Sequence, residues 1–594
     1  MRRPLLPQDD SSPRRQLELA EQRALYKWTH EAFEGIASCE GIPEGEGPPL
    51  SWLARVAELI LESVHNANEI ERDEERIQGN RQALKELREN IEDFEKGGMH
   101  AAFDHIASFV QGGDFQHIPV SDIADYDVLF QSIKRPELAD SYRSNRSFAR
   151  LRLAGPNPME MKRITALPVH FPVTPAHFEQ AMTALACEGE DSTPDSLADA
   201  LAEGRAFLCD YKALDGLPGG DFPRGPKYIS APLGLFVSTK GTRTLLPVAI
   251  QCAQAVGPNN PIFTPADGLA WQMARAALQT ADTNMHQAVR HLAHTHLVME
   301  PFHVASKRSL APQHPIARLL EPHFQGTVYI NNAANTKLMA PKGGVDAVLA
   351  LPIGVSRQAA VSGVQTWNFR GSMIERDLHE RGLMDRDTLP DFPYRDDGLL
   401  IWHALHDWVE AVVRTYYEGD ASVVADIELQ DFVATVQAPE GGRISGLGAV
   451  RTVPDLIQVL THIIFTASAQ HAAVNFPQRD QMAYMPAFPL SNFAPPPTST
   501  QVTQEQVLEQ LPAMDLAHYQ ATLGHLLGGV HHGALGQYRE RWFGHFAGDR
   551  RLNTALDGLQ SRLEQIEALI TERNERRMPY TYLLPSNIPQ SINI

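Results

Sequence analysis

The stretch from Trp271 to Phe324 reads WQMARAALQTADTNMHQAVRHLAHTHLVMEPFHVASKRSLAPQHPIARLLEPHF, an apolar run dense in histidine and helical in its pattern. Two later pieces answer it: HAAVNF at 471–476, and Ile594, the last residue of the sequence. Together they offer three imidazoles, one amide and one terminal carboxylate. Imidazoles joined by a carboxylate, with a coordination position left open, suit a non-haem iron site.

Spacing sharpens the reading. His471 and Asn475 are four apart, so an α-helix puts both on one face. His291 and His296 are five apart, well off one line at 3.6 residues per turn. If both bind one metal, that helix is expected to carry a π-bulge. His291 and His294, three apart, pair equally well on a regular helix and would suit zinc. No HExxH or HxxEH is present to support a metallopeptidase. A histidine on an apolar helix is more often a satisfied core residue than a ligand. His286, His294, His303, His314 and His323 are read mostly in that way.

Around this stretch, composition bounds the protein. At 594 residues the chain exceeds the usual single-core size, so two or more domains, or one large one, are expected. Hydrophobic residues make up 43% and charged ones 21%, as in a folded chain. A formal net charge of −20 gives no basic excess for neutralising phosphates, which argues against nucleic acid as a partner. Cys39, Cys187, Cys209 and Cys252 lie far apart without ligand spacing, and are expected to be reduced, buried thiols. The segment MRRPLLPQDDSSPRR lacks the apolar run of a signal peptide, and no stretch reaches ~18 consecutive apolar residues, so the expected location is cytoplasmic.

Residues 1–20 are polar and expected to be frayed. Ser51–Lys96 reads as helix: Ile70, Ile77, Leu84 and Ile91 recur every seven residues, Leu87 and Phe94 fall between, and Gly97-Gly98 ends the pattern. Its other faces are rich in Glu and Arg, so it reads as an amphipathic helix packed on the body rather than a lid or membrane helix. In SFARLRLAGPNPMEMKRI (147–164), Gly155 to Pro158 marks a turn. The runs at 206–211 and 233–239 predict a small sheet, and helix dominates from Asp267 onward. Residues 485–500 are a Pro-rich loop. Leu552, Leu556, Leu559, Leu563, Ile566 and Ile570 mark one more amphipathic helix. Beyond Met578, three prolines preclude regular helix.

These residues resemble the lipoxygenases. The likeness runs from about Asp140 to Ile594. It is carried by Trp271, Ala281-Asp282, His286-Gln287, His291-x4-His296, Glu300-Pro301-Phe302, Arg308, His314-Pro315, Leu319-Leu320 and Pro322-His323-Phe324, then by HAAVNF and RNERRMPYTYLLPSNIPQSINI. The resemblance implies a mainly α fold: a large helical catalytic domain with a small β subregion and a helical N-terminal part. Residues 1–50 would be an extension, partly disordered or helical, and 51–594 the catalytic domain. The β-barrel that precedes this domain in animal and plant members is expected to be absent.

The implied ligands are His291, His296, His471, Asn475 and the Ile594 carboxylate, around one iron per chain, with manganese the second choice. Gln287 and Gln478 match the amides behind the ligands, linking the substrate wall to the Asn475 helix. Ala334 falls where alanine goes with S products and glycine with R. Leu292, Leu338 and Leu349 fall along the fatty-acid channel. His294 stands where plant relatives have Asn.

The implied reaction is dioxygenation of a polyunsaturated fatty acid bearing a cis,cis-1,4-diene by O2, giving an S-hydroperoxide. The acting group would be a hydroxide on the metal rather than a side-chain base. A transient contact with a membrane surface is left open. Two rival readings use the same histidines: a zinc-dependent hydrolase, and a non-catalytic lipid-binding protein of the same fold. Neither needs a buried terminal carboxylate.

Overall fold

A computed structural model describes residues 4–10, 12–72, 115, 117–538 and 549–594. Its axis is one long helical rod made of three consecutive pieces. An α-helix, Leu269–Met285, passes without a break into a π-helix, His286–Leu297, and back to α over Val298–Ser309. Nearly every side chain of the first piece from Ala270 to Asn284 is buried, as expected of a helix packed on all sides.

Polar residues on this rod are paired inside the protein. Asp282, 1% exposed, meets the Arg152 guanidinium at 3.1 Å, the Tyr211 hydroxyl at 2.7 Å and the Asn157 amide at 2.9 Å. Arg290 donates to Glu160 at 2.7 Å. The 147–164 motif thus does more than turn: Arg152, Asn157 and Glu160 reach back to brace the rod, with its helix, Asn145–Ala154, ending at Gly155. A buried carboxylate is tolerable only when paired and hydrogen-bonded in this way.

The helix Ile353–Thr366 lies across the π segment. At Gly363 an added Cβ would come within 3.0 Å of the Ala293 methyl and 3.1 Å of a Val289 methyl, so glycine permits the close crossing. A second rod runs beside the first: Val453–Phe465, a π turn at Thr466–Gln470, then His471–Asn475. The long helix Pro393–Tyr416 packs between that rod and Asn553–Asn574, whose buried Leu556, Leu559, Leu563, Ile566 and Ile570 are the expected face.

The expected small sheet is antiparallel and five-stranded, in the order β3 (Lys162–Ile164), β4 (Ala206–Asp210), β5 (Leu233–Ser238), β6 (Leu245–Gln251), β7 (Ile262–Phe263). β5 and β6 are buried throughout, so both faces are covered. Before it, β1 (Trp28–Thr29) pairs with β2 (Ser38–Cys39), and these are the only strands among the described residues preceding the sheet.

Two expectations need correction. Residues 4–10 and 12–20 are not frayed. The helix Pro13–Leu25 packs on Val298–Ser309, and Arg15, 1% exposed, makes a two-pronged bond to Glu428 at 2.5 and 2.8 Å. Among the cysteines, Cys39, Cys209 and Cys252 are buried as expected, but Cys187 ends an exposed helix terminus and faces solvent. The heptad helix is present over Leu50–Arg72, and its continuation to Lys96 lies outside the described residues. Among the described residues, no helix is long and apolar enough to cross a membrane.

Candidate metal centre

The π-helix brings His291 and His296 together. On an α-helix five residues advance about 500°, leaving the two side chains about 140° apart. The i to i+5 pattern of a π-helix stacks residues five apart. The result is a separation of 3.2 Å between the His291 and His296 Nε2 atoms. His471, from the second rod, places its Nε2 3.2 Å from that of His296. Two nitrogens bound side by side at ~2.1 Å to one ion would stand about 3 Å apart.

Proton positions follow from the partners. Asn331 donates through Nδ2 to the Glu300 carboxylate at 2.7 Å and to the His296 carbonyl at 3.0 Å. Its Oδ1 therefore faces His296 Nδ1 at 2.9 Å and accepts that proton, leaving His296 Nε2 a bare lone pair. Glu300 in turn accepts from the Cys39 backbone N–H at 2.8 Å. Burial pushes the Glu300 carboxyl up to about 7. Burial also holds His296 down to about 4, and burial, with neighbouring imidazoles second, holds His291 and His471 well below the usual histidine range. All three rings are neutral at neutral pH, the form a metal requires.

The three Nε2 atoms lie together, and His471 Nδ1 is buried without a partner among the described residues. Ile594 lines the same cavity as His291 and His296. Asn475 is held at both ends of its amide, donating to the Leu527 carbonyl at 3.1 Å and accepting from Gln478 Nε2 at 2.8 Å. Gln287 donates to Gln478 Oε1 at 2.7 Å, so an unbroken chain joins Gln287, Gln478 and Asn475. Three neutral imidazoles, an amide oxygen with one lone pair free and a carboxylate fit an iron-type ion.

His294 does not join the cluster. Its Nε2 donates to the Gly363 carbonyl at 3.2 Å and its Nδ1 receives Arg290 at 3.3 Å. The His291–His294 pairing is thereby set aside. The other candidate core histidines have partners of their own: His286 on Val474 O, His303 on Glu46, His314 on Asp426 and His323 on Gln590 O, though His286 and His303 each leave Nδ1 buried without one among the described residues.

Above the cluster lies a cavity of about 300 Å³ with an overwhelmingly apolar wall. His291, His296, Asn475, Ile594 and Gln287 form its polar floor, and Leu292, Ala334, Leu338 and Leu349 line it. His471 and Gln478 stand behind the wall. Several liners carried no signal in the sequence. Trp52 and Val56 come from the helix Leu50–Arg72, and Lys337, with no partner among the described residues, sits partly exposed on a second short π-helix, Ala334–Leu338. Asn331 and Glu300 were also missed as supports. A buried acid on an apolar helix face, Glu300, was the one available hint.

Fold and site together define a helical enzyme body that sets convergent metal-binding side chains beneath an apolar, chain-shaped cavity. A model of the Lipoxygenase family matches residues 116–588. The chain is 36% identical to the linoleate 9/13-lipoxygenase of Pseudomonas aeruginosa, across 100% of this chain and 93% of that protein. It is 34% identical to a polyunsaturated fatty acid lipoxygenase of Mus musculus, over 75% of this chain and 65% of that one. A calcium-dependent 11R-lipoxygenase superposes with a TM-score of 0.82 at 28% identity, covering 100% of this chain and 83% of that one. The manganese lipoxygenase of Gaeumannomyces graminis shares the fold, with a TM-score of 0.77 at 20% identity and coverage of 99% and 100%. This chain belongs to the lipoxygenase family, the dioxygenase oxidoreductases that use a catalytic metal.

Proposed function

We propose that the protein adds dioxygen to a polyunsaturated fatty acid with a cis,cis-1,4-diene, releasing an S-hydroperoxide, with one iron held by His291, His296, His471, Asn475 and the Ile594 carboxylate. One observation carries the reading: three neutral imidazoles cluster together, and two of them line an apolar cavity beside the final residue. When bound, ferric hydroxide would supply both acceptors for the bis-allylic hydrogen, the iron taking the electron and the hydroxide the proton.

The protein's own residues hold and orient. Leu292, Leu338 and Leu349 offer the acyl chain a wall without hydrogen-bonding groups, which binds by burial of apolar area. The Ala334 methyl occupies space beside the diene and directs oxygen to one end of the radical, the basis of the S assignment. Gln287 and Gln478 tie the wall to Asn475, so a bound chain and the amide ligand are mechanically linked. Among the described residues, Lys337 is the one Lys or Arg lining the cavity, placed to pair with a fatty carboxylate and leave the methyl end innermost. Leu50 and Leu61, 69% and 52% exposed on the covering helix, favour a transient contact with a lipid surface.

Metal analysis combined with conjugated-diene absorbance during incubation with linoleate or arachidonate tests the reading. One iron per chain and rising diene are expected. Zinc or no metal, without diene, overturns it, and manganese in place of iron revises only the metal. A variant with one residue added after Ile594 is expected to lose metal and activity together.

A further inference from the structure

The last residues are held as a ladder. His323 Nδ1 donates to the Gln590 carbonyl at 2.6 Å, and Ser591 Oγ donates to the Gln325 carbonyl at 2.8 Å. Thr327 Oγ1 donates to the Ile592 carbonyl at 3.3 Å. The Asn593 side chain donates to the His532 carbonyl at 3.0 Å. The final rung is different in origin: the Trp52 indole N–H donates to the Asn593 carbonyl at 2.6 Å. Every other rung is supplied from within residues 116–588, the part matched to the family, whereas Trp52 belongs to the helix Leu50–Arg72 that precedes it.

We propose that Trp52 is a positioning residue for the metal centre, fixing the Ile594 carboxylate through the Asn593 carbonyl. The peptide joining Asn593 to Ile594 is planar, so holding the carbonyl oxygen fixes the Ile594 nitrogen as well. Only two backbone torsions then separate that plane from the carboxylate. The Ile594 side chain packs into the same small apolar cluster as Trp52, Val56, Leu526 and Val530, which restrains the first of them. The indole itself is fixed: 4% exposed and edge-on to Tyr329, with ring centroids 6.0 Å apart at 80°. Indole nitrogen is a donor only, so a neutral N–H faces the carbonyl at every pH. A helix outside the family's matched block thereby reaches the coordination sphere at one remove.

The inference rests on the carboxylate of Ile594 being a ligand. Trp52→Phe keeps an aromatic ring and deletes the donor, while Ile70→Ala loosens the same helix from a separate apolar cluster, away from the ladder. Each is loaded with iron, then followed for metal release into a chelator, for the ferric electron paramagnetic resonance signal and for melting temperature. Groups that orient metal ligands typically govern affinity by about 10–100-fold. W52F is expected to release metal about 10-fold faster with a shifted ferric signal. I70A is expected to melt earlier with both metal readouts unchanged. W52F behaving as wild type in release and signal overturns the proposal, whatever its melting temperature. Should W52F not fold, benzothienylalanine at position 52, with sulfur replacing N–H, is read by the same criteria. If the variant extended beyond Ile594 keeps its metal and signal, the ligand reading itself has failed. That result differs from loss of the Trp52 effect alone.

Discussion

Replacing Asn331 with leucine would remove the bridge between His296 and Glu300 while keeping the side chain's approximate shape. Three bonds go: the one from His296 Nδ1, the one to Glu300 and the one to the His296 carbonyl. The His296 Nδ1–H and one Glu300 oxygen are left buried without a partner, at about 1–3 kcal/mol apiece, so the metal-free variant should lose at least about 2 kcal/mol of stability. The His296 ring also loses the partner that fixes its tautomer, and metal affinity should fall about 10–100-fold. Urea unfolding of the metal-free protein measures the first effect, and competition with a chelator the second. A variant that loses stability but binds iron with wild-type affinity would refute the role given to Asn331. Retention of full stability would refute the hydrogen-bond geometry itself.

Other outcomes are equally specific. Arg15→Ala strands the Glu428 carboxylate in the interior and should cost about 3–5 kcal/mol in urea unfolding; a loss below 1 would mean the first helix is loosely docked. Ala334→Gly is expected to raise the R-hydroperoxide fraction on chiral chromatography, and an unchanged S product refutes the assignment. Lys337→Gln should raise KM for free linoleate several-fold and leave the methyl ester unaffected; equal effects on both refute the carboxylate pairing. His286, His323 and His518 are held down to about 4 by burial, against an ordinary value near 6.5. The unfolded chain therefore binds more protons between those values. The stability they contribute is present above pH ~6.5 and is lost as pH falls toward 4, by up to ~3 kcal/mol each. Glu300, pushed up to about 7, works in the opposite sense but is outnumbered. A melting temperature flat from pH 7 to about 4.5 would contradict this account.

What could be read from the sequence was local or periodic. The five-residue spacing of His291 and His296 required a departure from α geometry, and the π-helix is there. The strands at 206–210 and 233–238 announced themselves as short apolar runs, and the stripe from Leu556 to Ile570 through its period. What escaped was contact between distant residues of unremarkable type. Arg15 sits in a polar stretch that looks loose, and its two-pronged bond to Glu428, 413 residues away, makes it rigid. Trp52 looks like one more apolar position on an amphipathic helix, because nothing near it in sequence shows that its N–H is used. Asn331 lies in a run of small and polar residues, and its role depends on two partners supplied by the rod.

Trp52 and Asn593 are 541 residues apart, and a hydrogen bond joins them. During synthesis the helix carrying Trp52 leaves the ribosome first and must wait for nearly the whole chain before its partner exists. Until then its apolar face, with Trp52, Leu53, Val56 and Leu59, has no cover from Leu526 or Val530. The interval is about half a minute to two minutes at typical elongation rates. The nascent protein thus carries an open, greasy trough through most of its manufacture. Chaperone demand and the yield of soluble enzyme should be governed by that wait, and a fusion partner belongs at the end made first.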